Sequence, residues 1–434
     1  MTKRIGALRF ALLLSAVVGV AFTGSSSAQY NLKTLYAFGG SDDGFFPNGG
    51  LVFDSAGNLY GTTADGGNRG SGYCLLSKEP NCGTVFELTP TSEGRWTETI
   101  LYTFAGFDDG ATPHAGVIFD TKGNLYGTTS DGGGRTAECP YVCGTVFQLV
   151  PGLNGWNESL IHAFAGTPDG FDPAAGLVLG GDGNLYGTTR LGGAYGGGTV
   201  FKLANSSDSW TEEVLHSFSG RDGGNPVAGL ILDSSGNLYG TTLVGGSYNF
   251  GTVFELVRDG GGWTEHSLHD FTGGSDGGWP NSSLTFDTDG NLFGTAEIGG
   301  IISDCSVPWN GCGVVFELTP NVSGTWNDTL LYSFLGGNDA AYRLGNVIFD
   351  AQGNLYGAAA GGAPADGGTI FKLAPGASGW TESIIQNFNS GNNGEGPNGN
   401  LLLDSSGNLY GTTQLYPTVS CCGSVFELTP ESKK

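Results

Sequence analysis

The sequence predicts an all-β fold, a seven-bladed β-propeller of four-stranded antiparallel blades. The main evidence is the pentapeptide Gly-Asn-Leu-Tyr-Gly, once with Phe in place of Tyr, which begins at Gly57, Gly123, Gly183, Gly236, Gly290, Gly353 and Gly407. The interval between starts ranges from 53 residues (Gly183 to Gly236) to 66 residues (Gly57 to Gly123). Each unit contains short apolar segments divided by Gly-rich turns, a pattern typical of radial repeat architectures.

The first complete unit shows the four predicted strands: Leu51 to Asp54, Leu59 to Thr63, Thr84 to Thr89 and Trp96 to Phe104. The first strand is an apolar triplet without polar alternation, so we expect burial on both of its faces. The link Asp-x-x-Gly-Asn follows it in six units, and Gly180 replaces the Asp in the third unit. Because Asp can bond to the backbone ahead of it and Gly tolerates positive φ, this link predicts a tight hairpin turn.

The seventh unit lacks a fourth strand. In six units a Trp and a Phe stand eight residues apart, as in Trp96 and Phe104, whereas the last unit stops after a third strand at 424–429. Tyr30 and Phe38 repeat this aromatic spacing before the first unit begins. We therefore predict that the N-terminal strand completes the last blade and closes the ring, which would remove a free sheet edge.

Bulk properties limit the function classes. Lys3, Arg4 and Arg9 precede a 12-residue apolar run from Ala11 to Phe22, which predicts a secretory signal peptide over residues 1–28. The run is shorter than the ~20 residues that a membrane span needs, so we expect no span. The net charge of −24, from 41 acidic and 17 basic residues, disfavours nucleic acid. We expect one domain over residues 29–434, secreted to the periplasm or the exterior, as a monomer.

Loops of variable length and the connections between blades are expected on one face, where binding surfaces are usually built. An acidic or amide side chain follows each fourth strand, and a turn between blades or a ring that binds Ca²⁺ or sugar hydroxyls would each explain it. We expect no required cofactor. Trp279 and Trp309 lie outside the repeat and are candidates for stacking on a sugar. The candidate ring consists of Asp43, Asp109, Asp169, Asp222, Asp276, Asp339 and Asn393.

All eight cysteines fall in the loops between second and third strands, which predicts local disulfides in a secreted protein. Zinc is not indicated, because no His stands near a cysteine pair with ligand spacing. The adjacent pair would form a strained vicinal ring, and a free or differently paired thiol there is equally open. The pairs are Cys74/Cys82, Cys139/Cys143, Cys305/Cys312 and Cys421/Cys422.

The sequence presents no catalytic set. Gly273 to Gly277 match Gly-x-Ser-x-Gly, but between blades and not at a strand-to-helix elbow, so chance explains the match in a chain with 80 glycines. The five histidines show no metal-binding spacing and are interpreted as surface or packing residues. The repeated Trp and Tyr residues are interpreted as packing within and between blades.

The full unit Gly-Asn-Leu-Tyr-Gly-Thr-Thr, a Gly-Gly pair and Gly-Thr-Val-Phe-Glu/Lys-Leu resembles the bacterial choice-of-anchor tandem-repeat proteins that carry the Gloeo-Verruco (GloVer) repeat. The resemblance covers nearly all of residues 29–434 and implies a secreted or surface-displayed protein without an established activity. Pro430 to Lys434 contain no sorting motif, hydrophobic tail or lipid site, which argues against the surface anchoring that the resemblance implies.

The leading hypothesis is a non-enzymatic extracellular binding or display module that recognises a glycan or an envelope protein through its variable, acidic, disulfide-stitched face. The alternative is a secreted hydrolase or lyase with a site at the mouth of the propeller channel. That alternative requires polar residues that break the repeat near the axis, and the sequence alone does not identify such a set. A blade-specific Glu or His facing the channel would favour it.

Overall fold

A computed structural model describes residues 30–431, apart from 41, 68–81, 107, 135–142, 207–208, 302–304, 306–310, 338, 363–366, 390–393 and 416–421. The predicted signal peptide, Cys74, Cys139, Cys421, Trp309 and Asn393 lie outside the described residues. Within them every regular element is a strand, and none forms a helix that could cross a bilayer.

Seven antiparallel sheets form the blades of a β-propeller. The chain begins with β1 (Tyr30–Ala37). Blade 1 contains β2 (Val52–Phe53), β3 (Leu59–Thr63), β4 (Thr84–Pro90) and β5 (Trp96–Thr103). Blade 2 contains β6 (Ile118–Phe119), β7 (Leu125–Thr129), β8 (Thr145–Gly152) and β9 (Gly155–Ala163). Blade 3 contains β10 (Val178–Leu179), β11 (Leu185–Thr189), β12 (Thr199–Ser206) and β13 (Ser209–Ser217).

The remaining blades repeat the plan. Blade 4 contains β14 (Ile231–Leu232), β15 (Leu238–Thr242), β16 (Thr252–Asp259) and β17 (Gly262–Asp270). Blade 5 contains β18 (Thr285–Phe286), β19 (Leu292–Ala296), β20 (Val314–Pro320) and β21 (Trp326–Ser333). Blade 6 contains β22 (Ala340–Leu344), β23 (Ile348–Phe349), β24 (Leu355–Gly362), β25 (Thr369–Gly376) and β26 (Gly379–Asn387). Blade 7 contains β27 (Glu395–Leu403), β28 (Leu409–Leu415) and β29 (Ser424–Pro430).

Two blades depart from the simple chain order. In blade 7 the order of strands is β1-β29-β28-β27, so the N-terminal strand is the outermost one. Tyr30 pairs with Pro430 and Ala37 pairs with Ser424 in an antiparallel ladder. In blade 6 the additional strand β22 pairs with the extended end of β24. The sheet that contains β1 therefore joins both ends of the described chain.

The last Gly of the repeated pentapeptide leaves room for an aromatic ring. At Gly187 an added Cβ would lie 2.6 Å from Cζ of Phe201, which is fully buried on the neighbouring strand. The other six blades show the same approach between the corresponding Gly and Phe. The five residues of the second strand around this Gly are buried in every blade, as at β11. The pentapeptide thus specifies the most buried strand of each blade.

The Asp-x-x-Gly-Asn link forms the predicted hairpin turn, and hydrogen bonds confirm its turn chemistry. Asp54 Oδ1 accepts from the backbone N–H groups of Ala56 at 2.8 Å and Asn58 at 2.9 Å, and Oδ2 accepts from Asn58 Nδ2 at 2.8 Å. In blade 3, where Gly180 replaces the Asp, Asp182 accepts from Asn184 instead. The turn is therefore kept although the position of its carboxylate shifts.

The expectation that the first strand is buried on both faces is wrong in part. In blade 1 Leu51 is buried, but Val52 and Phe53 are only half-buried, and the strand contains just these last two residues. The reason is that the first strands surround a central channel, and Leu51 and Val52 line it. Phe53 packs against Tyr410 of blade 7 and Val52 packs toward blade 2, so both faces of the innermost strand contact neighbouring blades while its inner edge lies along the channel.

The core is a ring of apolar layers between adjacent blades and not one central cluster. One layer joins Tyr60, Val85 and Phe104 of blade 1 to Leu125 and Phe147 of blade 2, and the other layers repeat this arrangement. Ring contacts cross the same boundaries, with the repeated Tyr or Phe of one blade packing edge-on against the Trp of the next. The predicted packing role of the repeated aromatic residues is confirmed.

Small residues set the packing where each blade connects to the next. An added Cβ at Gly44 would lie 2.2 Å from Thr63 Oγ1, so this position needs a Gly while the strand carries a Thr. Blade 6 has Ala340 and Ala359 at the two corresponding positions, and both are fully buried. The paired change keeps the local volume nearly constant, but it leaves the buried Thr369 hydroxyl without a hydrogen bond among the described residues.

Candidate functional site

The loops after the second strands and the connections between blades share one face, called here the variable face. Short bridges show this directly, because Phe45 of a connection pairs with Asp65, which follows the second strand of blade 1. The corresponding bridges join Ala111 to Asp131 and Phe171 to Leu191. The hairpin turns lie on the opposite face, as the up-and-down strand order requires.

A backbone contact fastens each connection to the preceding blade. One residue per blade has φ between 53° and 60° and donates its N–H to a carbonyl just before a third strand, at 2.8 to 3.4 Å. Positive φ is uncommon outside Gly, so the contact holds the six donors that are not Gly in a strained conformation. The donors are Phe46, Thr112, Asp172, Asn225, Trp279, Tyr342 and Gly396. Trp279, which appeared to lie outside the repeat, therefore occupies a regular backbone position.

The predicted acidic side chains lie on the variable face, where each caps the end of a fourth strand. Asp43 accepts from the N–H groups of Gly39 and Gly40, both at 2.8 Å, and from the Tyr36 hydroxyl at 3.0 Å. The turn interpretation is confirmed by these contacts, and ligand binding by the ring stays a prediction. We call the described members the outer carboxylates: Asp43, Asp109, Asp169, Asp222, Asp276 and Asp339.

Three blades have a histidine at the repeat position that Tyr36 occupies in blade 7. His162 and His216 are hydrogen-bonded through Nε2 to their outer carboxylates at 3.1 and 2.9 Å, and His269 Nε2 lies 3.3 Å from Asp276 Oδ2 without hydrogen-bond geometry. Each ring also packs edge-on against the Phe two residues later. These histidines are packing residues, as the sequence suggested, but the sequence did not reveal their carboxylate partners.

Glutamates from the next blade face the outer carboxylates. They stand two residues after the repeated Trp, are half-buried, and have an Oε1 atom without a hydrogen bond among the described residues. Burial first, and then the charge of the facing carboxylate, raises the pKa of each to about 7. We call them the belt glutamates: Glu98, Glu212, Glu265 and Glu382, which face Asp43, Asp169, Asp222 and Asp339 respectively.

The channel along the axis contains a second group of polar side chains. Its cavity of about 890 Å³ is lined by residues from all seven blades. Several polar side chains at its end on the variable face differ from blade to blade. We call them the channel-mouth residues: Asn48, His114, Arg190, Asn281, Glu297, Arg343, Asn346, Asn400 and Gln414.

One side of the mouth comes from blades 1 to 3. His114 Nδ1 lies 3.4 Å from Asn48 Nδ2, and Arg190 Nε lies 3.0 Å from Asp172 Oδ2. Although His114 is exposed within the channel, desolvation by the enclosing walls lowers the pKa of its imidazole, and the charge of Arg190 lowers it further. Burial raises the pKa of Asp172, and Arg190 opposes that change. This side therefore presents a neutral imidazole beside a guanidinium group.

The other side of the mouth comes from blades 5 and 6, which are three places around the ring from blades 2 and 3. Asn281 Nδ2 donates to Glu297 Oε1 at 2.5 Å. Burial raises the pKa of Glu297, while the charge of Arg343 and hydrogen bonds from Asn281 and the Arg343 backbone oppose the increase. Each of the two opposite walls of the mouth therefore has a carboxylate side chain and a guanidinium group.

Repeat comparison could have found the channel-mouth residues. The position after the second strand is Arg190 in blade 3, Glu297 in blade 5 and Gln414 in blade 7, but Ala64 and Leu243 in blades 1 and 4. Likewise, His114 corresponds to Ala174 in blade 3. The sequence signal for this site was therefore variation between units at two repeat positions. The sequence does not show that these positions lie near the axis, because that follows from the arrangement of the blades in a ring.

The disulfides also belong to the variable face. Cys305 and Cys312 are bonded, with 5.2 Å between their Cα atoms. Cys143 and Cys422 are each disulfide-bonded as well. The carbonyls of Cys82, Cys143, Cys312 and Cys422 accept the backbone contacts from the next connection. These cysteines therefore lie at the positions where each blade is hydrogen-bonded to the connection that leads to the next blade.

The sheets and the axial channel define the class of protein, a seven-bladed β-propeller with a polar channel mouth. The model of the Gloeobacter/Verrucomicrobia repeat matches residues 134–304 and 304–434, and the chain belongs to that repeat family. This confirms the family resemblance drawn from the repeated unit. No curated protein sequence matches the chain.

Solved structures resemble this chain at low sequence identity. The extracellular domain of a candidate one component system from B. thetaiotaomicron is 12% identical with a TM-score of 0.52, and the match covers 92% of this chain and 39% of that chain. A candidate 6-phosphogluconolactonase from Bacteroides uniformis ATCC 8492 is 14% identical with a TM-score of 0.48. The match covers 77% of this chain and 83% of the lactonase chain. Only the likeness with a TM-score of 0.52 bears on the fold, and it bears on nothing beyond the fold.

Proposed function

We propose that the protein is an extracellular, non-enzymatic binding module that takes a hydroxyl-rich glycan at the channel mouth of its variable face. The observation that carries the proposal is the group of blade-specific polar side chains at the mouth. A propeller scaffold does not need His114, Arg190 or Glu297, because sister blades fold with Ala or Leu at the same positions. Polar residues that interrupt a repeat beside a cavity are typical of a ligand site.

The chemistry of the mouth fits sugar hydroxyls better than a strongly charged ligand. Amide side chains of Asn48, Asn281 and Asn400 can both donate and accept, and each charged wall contains an acid and a guanidinium group. A hydroxyl can donate to the carboxylates and accept from the guanidinium groups, whereas a polyanion would meet a chain with a net charge of −24.

The location outside the cytoplasm belongs to the same proposal. It is supported by the signal-like segment of residues 1–28 and by the disulfide between Cys305 and Cys312, since disulfides persist in oxidising compartments. Mass spectrometry of the protein recovered from fractionated cells tests it. A mature N-terminus at Gln29 outside the cytoplasm is expected, and an uncleaved cytoplasmic chain would contradict the proposal.

Thermal shift and calorimetry of residues 29–434 test the glycan site, with a panel of bacterial and plant polysaccharides in the presence of Ca²⁺ or of chelator. A ligand that binds the folded state alone raises the melting temperature. His114→Ala and Arg190→Leu introduce residues that sister blades carry, and Arg221→Gln, on a connection of the variable face, is the matched control. We expect both mouth variants to lose the shift and the control to keep it.

Two results would contradict the proposal. A shift retained by both mouth variants would place the glycan elsewhere, and the outer carboxylates would be tested next through Asp43→Asn and Asp109→Asn. No shift with any glycan would reject a glycan ligand and favour an envelope protein as partner.

A second candidate function, a hydrolase or lyase, is favoured by one observation at the same mouth. His114 is accessible to the channel, has a lowered pKa and lies near Arg190. A neutral imidazole can accept a proton, and a guanidinium group can stabilise the developing anion. Product analysis of any glycan that binds would distinguish binding from catalysis. Catalysis would be established if the wild type generates new reducing ends or new double bonds and His114→Ala does not.

A further inference from the structure

Three potential metal ligands converge between blades 3 and 4, away from the channel. They are His216 on β13, Asp222 on the following connection and Glu265 on β17. One ligand atom from each lies within 4.8 Å of the other two, and all three residues are half-buried. Among the described residues this is the one group of three or more His, Cys, Asp or Glu side chains that meets this distance.

Local contacts hold two of these ligands in place. Asp222 Oδ1 accepts from the Ser219 N–H at 2.8 Å and from the Ser219 hydroxyl at 2.9 Å, which leaves Oδ2 beside His216 Nε2 at 2.9 Å. The His216 ring packs edge-on against Phe218 with 4.8 Å between ring centres. Supporting contacts of this kind fix ligand orientation at metal sites.

One carboxylate oxygen of the third ligand has no hydrogen-bond partner in the part of the chain that the structure describes. Glu265 Oε1 is buried and accepts no hydrogen bond from the described residues, and the charges that act on Glu265 come from Asp222 and Asp270, both negative. Burying a carboxylate beside like charges is unfavourable unless a cation or a proton compensates it. A divalent cation would supply the missing positive charge.

We propose that His216, Asp222 and Glu265 form a binding site for a divalent transition metal of the zinc type. One imidazole nitrogen and two carboxylate oxygens leave a fourth position for water, which suits the tetrahedral preference of Zn²⁺. Ca²⁺ prefers six to eight oxygen ligands and is less suited to a three-residue set that contains a nitrogen. The site is independent of the glycan site at the channel mouth.

Sister blades supply built-in controls. Tyr102 and Tyr332 hold the outer carboxylates of blades 1 and 5 in place of a histidine, so His216→Tyr has a structural precedent in this chain. The neighbouring cluster of His162, Asp169 and Glu212 has the same residue types but not the same convergence. Glu212→Gln is therefore the matched control for Glu265→Gln.

Calorimetric titration of chelator-treated protein with ZnCl₂ and with CaCl₂ at pH 7.5 tests the site. We expect one equivalent of Zn²⁺ that Ca²⁺ does not displace. Loss of an outer-shell partner typically costs 10 to 100-fold in affinity, so losing a direct ligand in Glu265→Gln or His216→Tyr is expected to weaken binding by about 100-fold or more. Glu212→Gln is expected to bind as the wild type does.

X-ray absorption at the zinc edge separates this site from the cysteines. We expect nitrogen and oxygen neighbours at about 2.0 to 2.2 Å and no sulfur neighbour at about 2.3 Å. Melting temperatures of the metal-free variants check folding, and His216→Tyr serves if Glu265→Gln does not fold. The proposal is overturned by sulfur in the zinc shell, by no Zn²⁺ uptake in the wild type, or by equal weakening in Glu212→Gln. Absence of uptake would mean that a proton compensates Glu265 instead.

Discussion

The belt glutamates make stability depend on pH between about 4.5 and 7. Their pKa rises from the usual 4.5 to about 7 on folding, so the folded protein binds more protons than the unfolded chain within that window. Their contribution is therefore fully present below about pH 4.5 and is lost as the pH rises through 7. The triple variant Glu98→Gln, Glu212→Gln and Glu382→Gln isolates this contribution to stability, because Gln does not titrate at these three positions.

The magnitude follows from the shift after a discount for solvent. Each pKa unit corresponds to about 1.36 kcal/mol, so a full shift from 4.5 to about 7 would be worth about 3 kcal/mol per site. These side chains are only half-buried, and screening reduces the figure to about 1 kcal/mol each. At pH 8 the triple variant should be more stable than the wild type by about 3 kcal/mol. With an unfolding entropy of about 2.1 cal/mol/K per residue over about 400 residues, this equals about 3 to 4 °C.

The assay is the melting temperature of both proteins at pH 5 and pH 8, with chelator present so that metal binding does not contribute. We expect no difference at pH 5 and a higher melting temperature for the triple variant at pH 8. Glu93→Gln, on an exposed hairpin turn, is the control and should change neither value. The prediction is refuted if the melting temperature of the triple variant at pH 8 equals that of the wild type or is lower. The ionised carboxylates of the wild type would then be stabilised by favourable interactions in the folded protein.

Three further substitutions test the packing. Gly187→Ala places a methyl group 2.6 Å from the Phe201 ring and should cost about 1 to 3 kcal/mol, measured by urea unfolding, and an unchanged stability would contradict the close fit. Ala359→Thr should destabilise by overpacking against Ala340 and should recover in the double variant with Ala340→Gly, as a double-mutant cycle would show. Tyr60→Phe removes a hydroxyl that bonds two carboxylates at 2.9 and 3.2 Å and should cost about 1 kcal/mol, with an unchanged melting temperature as the contrary result.

The blade could be predicted from the sequence because its determinants are local. Gly61 recurs in every unit and Tyr60 in all but one, where Phe293 replaces it. The hairpin Asp54 makes its backbone contacts within four residues of itself. The half-exposed first strand was missed, because an apolar triplet beside a channel has the same composition as one between two buried layers. Local pattern therefore specifies strands and turns, but not which strand surrounds the axis.

The candidate sites could be predicted only in part, because their residues meet across blades. The outer carboxylates were visible as a repeated position, yet the facing Glu98 comes from the next blade and was hidden by its regular spacing after Trp96. His114 and Glu297 are separated by more than two repeats and share a cavity only through the closed ring. A single sequence gives no measure of such convergence.

The pairing of β1 with β29 also governs the order in which the protein can be completed. Tyr30 to Ala37 have their partner in Ser424 to Pro430, so roughly 400 residues must be made before the pair can form. At a synthesis rate of about 5 to 20 residues per second, this takes about 20 to 80 s. During that time the first strand lacks its native neighbour and can pair with other chains, as an open strand edge does. The sheet that joins the two ends is therefore the last to form, and the period before it forms is when a growing chain most needs protection from aggregation.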